Sequence, residues 1–189
     1  MIKILFISCL IVFLLTESFF AQQITFEKED LNFTVKDGYF YVGGSYFVGC
    51  NNTNGKKILF YPFPIDSLYG LADSLIIMDM THNKIIEPLR MTEKGALFDF
   101  LCDSLQITEL HISYRQKLFS NQAEYILETT AAWGAPLKSA KYQFIIPDDL
   151  QIEFFSIKPD NHFEADNTII YYWDKTNYMP DRNFVIRFK

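Results

Sequence analysis

Beyond residue 21, apolar and polar side chains alternate in short runs along the whole chain. A period of two is the signature of strands with one face buried and one wet. The final run is the cleanest. Phe184, Ile186 and Phe188 share one parity, and Asn183, Val185, Arg187 and Lys189 share the other. Such a segment docks in a sheet by its aromatic face.

Similar runs cover residues 24–28, 31–35, 39–50, 56–63, 75–80, 84–91, 95–102, 105–118, 124–133, 140–146, 151–158 and 168–174. Asn54-Gly55 supplies the positive φ angles of a tight loop, so residues 39–50 and 56–63 are expected to form a hairpin. Thr81-His82-Asn83 marks a second hairpin. Residues 65–74 have room for one short helical turn, which Gly70 weakens. Within 105–118, Leu105 and Ile107 take one parity and Leu110, Ile112 and Tyr114 the other, which predicts a bulge near Thr108-Glu109. Residues 124–133 are expected to pair with that strand, placing Arg115 between Glu124 and Glu128. The polar tract 160–167 reads as a loop.

No amphipathic helical pattern of useful length interrupts these runs. Eleven or twelve short strands predict an all-β fold, an antiparallel two-sheet β-sandwich that is immunoglobulin-like or larger, with a β-barrel as the alternative. No linker or fixed-period repeat divides residues 22–189, so they are expected to form one domain.

The first 21 residues follow a different rule. Lys3 precedes an uncharged apolar run from Ile4 to Leu15, and Thr16, Glu17 and Ser18 end it before Ala21. This is the pattern of a signal peptide, cut after Ala21 or, alternatively, after Ser18. The run is too short to span a bilayer, which takes about 20 apolar residues. The chain is therefore expected to be secreted, or to reside in a periplasm or cell envelope.

An oxidising compartment changes the reading of the cysteines. Cys9 sits within the signal, leaving Cys50 and Cys102 as a candidate disulfide closing a loop of about fifty residues. Two separate buried thiols are the other reading. The net charge of −6 disfavours nucleic acid, which demands a basic surface. Asn32-Phe33-Thr34 and Asn51-Asn52-Thr53 match the glycosylation pattern, which applies only in a eukaryotic host.

Candidate chemistry is sparse. Glu109, His111 and Ser113 share one strand at spacings of two, where side chains stand about 7 Å apart and parallel, too far for a nucleophile–base hydrogen bond. Asp148-Asp149 reads as a turn. Asp160, Glu164, Asp166 and Asn167 match no calcium loop. No catalytic motif and no metal or cofactor signature is present.

Aromatic residues make up 17% of the chain, mostly core by expectation. Tyr171, Tyr172 and Trp173 are consecutive, so a strand must send at least one to the opposite face. With Trp133 and Tyr178 they form the candidate binding surface. The expected function is an exported, non-enzymatic module that binds a protein or carbohydrate partner or supports an envelope or surface assembly. The alternative is a secreted hydrolase with an unrecognised carboxylate pair. A third reading, a subunit joining others edge to edge, makes residues 39–50 and 105–118 the suspect edges.

Overall fold

The alternating runs become strands almost throughout. The computed structural model describes residues 24–50, 54–103 and 105–189, with the side chains of 131–133 outside that description. The expected signal peptide and Asn51–Thr53 also lie outside the described residues. Fourteen strands are present among the described residues: β1 (Ile24–Lys36), β2 (Tyr39–Cys50), β3 (Gly55–Pro62), β4 (Tyr69–Asp79), β5 (Lys84–Ile85), β6 (Arg90–Thr92), β7 (Gly95–Cys102), β8 (Thr108–Leu118), β9 (Gln122–Tyr125), β10 (Leu137–Pro147), β11 (Ile152–Phe155), β12 (Asn161–Ala165), β13 (Thr168–Tyr178) and β14 (Phe184–Phe188). A 3-10 segment, Glu128–Trp133, follows β9. No helix among the described residues is long and apolar enough to cross a membrane.

Eight strands form one sheet in the order β12-β13-β10-β1-β2-β8-β4-β5, and two three-stranded sheets run β11-β14-β9 and β3-β7-β6. The large sheet is mixed, not purely antiparallel, because β1 and β10 run parallel. It ends at free margins on β12 and β5 and does not close, which corrects the barrel alternative. The suspected edges are interior strands: β2 lies between β1 and β8, and β8 between β2 and β4.

Both small sheets pack on the same face of the large one. Phe33 of β1 lies 4.9 Å from the Phe184 ring of β14 and 5.2 Å from Tyr125 of β9. Tyr46 of β2 lies 5.6 Å from Tyr61 of β3. Phe33, Phe144, Trp173 and Phe184 are fully buried, and each large side chain contributes about 2–3 kcal/mol by leaving water. The parity read for the last strand holds, since Phe184, Ile186 and Phe188 are all buried.

Several pairings differ from the sequence-based expectation. β2 pairs with β1 and β8, whereas β3 pairs with β7. The chain thus leaves the large sheet after Cys50 and enters a small one at Gly55, and no hairpin forms. The disulfide Cys50–Cys102 ties the two layers there, with Cα atoms 5.9 Å apart. Strand β8 carries no bulge against β2. The parity change arises because Leu105 and Ile107 precede the strand, with Leu105 almost fully exposed. β9 pairs with β14 and not with β8, so the ionic partner of Arg115 is Asp73 on β4. Residues 66–68 form a bend and turn, and β4 begins at Tyr69. The tract expected as a loop holds β12, an edge strand paired with β13. It is exposed on both faces, so it never needed an apolar parity.

The β4–β5 hairpin does form, with Met78 opposite Ile85. Its turn is held by buried Asp79, which accepts the His82 backbone N–H at 3.0 Å and meets His82 Nδ1 at 2.7 Å. Asp79→Ala is expected to lower stability by about 1–2 kcal/mol, measured by urea unfolding. An unchanged midpoint would show that this turn forms without the carboxylate.

Candidate functional site

The large sheet buries one face and presents the other. On β1, Leu31, Phe33 and Val35 point inward, so Asn32 and Thr34 point out. Strand order then places rows of outward side chains side by side. One row runs Thr34, Tyr41, Arg115, Asp73, and the next runs Asn32, Gly43, Ser113, Ile76. A third brings Asp30, Ser45, His111 and Met78 together.

These rows line an open groove of about 440 Å³, whose walls include Asn32, Thr34, Tyr41, Ser74, His111, Ser113 and Arg115. Gly43 also lines it, and its missing side chain leaves a depression between Tyr41 and Ser113. Arg115 is held at one side. Its Nε donates to Asp73 Oδ1 at 2.5 Å, and its guanidinium lies 4.6 Å from the centre of the Tyr39 ring. The guanidinium holds the Asp73 carboxyl below its usual range. The register of β4 against β8 shifts between Asp73 and Ile76, and Ser74 adopts a φ of 55°. Such a bulge re-aims a side chain out of the regular pleat, and here Ser74 ends up on the groove wall.

Glu109, His111 and Ser113 do share this face, but the Glu109 carboxylate accepts the Ser45 hydroxyl at 2.6 Å instead of a hydrogen bond from His111. His111 and Ser113 line the groove. A larger cleft of about 660 Å³ lies at the sheet end, among the β1–β2 turn, Phe119 and Pro147. It is built on turns, whereas the groove stands on interior strands that hold side-chain geometry more rigidly.

Of the five aromatic residues read from the sequence, the four whose side chains are described do not share one face. Trp173 is fully buried, its indole N–H donating to the Ile157 carbonyl at 2.9 Å. Tyr171 faces the same side, half-buried between Phe155 and His162. Tyr172 projects from the opposite face and stacks on exposed Phe163 with centroids 5.1 Å apart. Tyr178 is half-buried, and burial pushes its hydroxyl up to about 12. Trp133 ends the 3-10 segment, and its side chain lies outside the described residues. What the sequence reading missed is the groove. Its signal was present in the polar parity of β1 and β8, but strand order was needed to bring the two together.

Besides Asp79, a second carboxyl is buried, and it lies in the core. Glu29 of β1 accepts the Tyr142 hydroxyl at 2.9 Å, and burial pushes it up to about 7. No second carboxylate among the described residues lines its cavity. No cluster of three or more metal-ligating side chains occurs among the described residues.

No protein-family model matches the chain, and no curated protein is similar to it in sequence. Solved structures are similar in fold. A protein of Legionella pneumophila subsp. pneumophila str. Philadelphia 1, described as a putative nutrient binding protein, has a TM-score of 0.69 at 12% identity, over 88% of this chain and 67% of that one. An M1 zinc metallopeptidase from Deinococcus radiodurans has a TM-score of 0.54 at 8% identity, over 88% of this chain and 42% of that one. The chain therefore spans less than half the metallopeptidase's length. At such identities the likeness concerns the fold alone.

Proposed function

We propose that this chain is an exported binding module whose outer groove holds a hydroxyl-rich small ligand, a carbohydrate. In this reading residues 1–21 direct export, and residues 22–189 form one two-layer sandwich with the groove on its open face. The observation that carries the proposal is the convergence of Tyr41, Arg115, Asn32, Ser74 and His111 on one open depression, with Arg115 held by Asp73. Sugar recognition uses a ring face for the apolar side of the pyranose and fixed polar groups for its hydroxyls. Tyr41 supplies the first. The Arg115–Asp73 pair, Asn32, Thr34 and Ser113 supply donors and acceptors. The nutrient-binding description of the Legionella protein supports a binding role without naming a ligand for this chain.

Calorimetry against a panel of neutral and acidic oligosaccharides tests the proposal. A binder is expected whose affinity falls by about tenfold or more in Tyr41→Ala and in Arg115→Ala, roughly 1.4 kcal/mol each. Affinity unchanged in both variants would move the site elsewhere. Tyr172→Ala, at the exposed aromatic pair beside Phe163, reports on that rival surface in the same assay.

A further inference from the structure

The layer facing the large sheet is split between β3 and β9, and the split opens onto the most polar part of the core. Glu29 from β1, Tyr46 from β2, Tyr61 from β3 and Tyr125 from β9 meet beneath it. Tyr46 Oη lies 2.7 Å from both Tyr61 Oη and Tyr125 Oη. A cavity of about 40 Å³ runs from this cluster toward Phe60 and Thr129, both exposed, with Phe26, Pro62 and Thr130 also on its walls. A single water requires about 10–15 Å³ measured in this way, so the space takes a group slightly larger than water.

The lining dictates the kind of group. Among the described residues no lysine, arginine or histidine lines the cavity. A buried carboxyl without a cation is costly to ionise. The groups that face it are phenols from separate strands: Tyr142 of β10 by hydrogen bond, and Tyr46, Tyr61, Tyr125 and Tyr178 through space. All of these are neutral at ordinary pH, with hydroxyls pushed up by burial. Phenol oxygens accept hydrogen bonds, and ring faces attract cations. An anion meets only repulsion from Glu29. A hard metal ion finds too few oxygens and too many ring carbons.

We propose that the seam between β3 and β9 is a binding site for a small primary ammonium group, held by the Glu29 carboxylate and the phenols of Tyr46, Tyr61 and Tyr125. The site is separate from the outer groove, on the other side of the large sheet. Methylammonium is the probe of matching size, and tetramethylammonium is the oversized control.

Thermal unfolding of the full protein tests this at pH 8, above the point at which Glu29 ionises, in methylammonium chloride against potassium chloride of equal concentration. The expected result is a midpoint raised by about 3 °C or more in methylammonium alone. The shift should vanish in tetramethylammonium, in Glu29→Gln, and in the wild type at pH 5. Tyr41→Ala should keep it, separating this site from the groove. Equal midpoints in methylammonium and potassium at pH 8 would overturn the proposal, as would a shift that survives at pH 5 or in Glu29→Gln. The wild-type comparison across pH decides the matter even if the variant does not fold.

Discussion

Gly44→Val is expected to leave the chain largely unfolded at room temperature, a loss of more than about 5 kcal/mol. Gly44 sits mid-strand in β2, opposite Leu31 of β1 and Ile112 of β8. A Cβ there would stand 2.1 Å from the Asp30 carbonyl oxygen and 2.7 Å from Leu31 Cα. Both are backbone atoms of a strand hydrogen-bonded on both sides, to β2 and to β10. Relief requires breaking a ladder at the centre of the large sheet, so the cost exceeds the 1–3 kcal/mol typical of overpacked side chains. The neighbouring glycine makes the control. A Cβ on Gly43 points to the opposite face and meets Ser113 Cβ at an ordinary 3.4 Å. Gly43→Ala should therefore change stability by less than about 1 kcal/mol while filling the groove floor and weakening ligand binding. Urea unfolding of the two variants checks the contrast. Equal midpoints would mean that β1 and β2 do not approach as closely as described.

Raising the pH from 4 to 8 is expected to cost the wild type about 3 kcal/mol relative to Glu29→Gln. The Glu29 carboxyl stands at about 7 in the folded chain against an ordinary value of 4.5. Burial is the larger cause, and the Tyr142 hydrogen bond opposes it. A raised acid binds its proton more tightly when folded. Its contribution is therefore complete below about 4.5, declines as the pH climbs, and is gone above about 7. Glutamine keeps an acceptor for the Tyr142 hydroxyl and has nothing to titrate, so the difference between the two proteins isolates this one group. Unfolding free energies at several pH values provide the check, and parallel curves would show that Glu29 is not desolvated in solution.

The same residue marks where sequence reading stopped. Glu29 lies in a polar stretch with Glu27, Lys28 and Asp30, and nothing local separates it from them. A bulge in β1 between Phe26 and Lys28 resets the parity, so Glu29 points into the core while Lys28 and Asp30 stay exposed. The groove was legible in part. His111, Ser113 and Arg115 were readable as the polar face of one strand, but Asn32, Thr34 and Tyr41 join them only because β1, β2 and β8 lie side by side. The aromatic run 171–173 had to divide between two faces, and it does, with Tyr172 alone on the outer one.

Period-two alternation determined by itself that the described residues are mostly strand and which side of many strands is buried, because a pleated backbone admits only two directions for a side chain. Pairing is another matter. Asn54-Gly55 has the chemistry of a hairpin turn, yet β2 and β3 part into different sheets, since backbone hydrogen bonds carry no sequence label and the choice falls to packing across the core. Tertiary structure alone decided that Cys50 meets Cys102, that β1 runs parallel to β10, and that a carboxyl and three phenols from separate strands share one seam. These depend on which faces meet in space, a property no single run of residues contains.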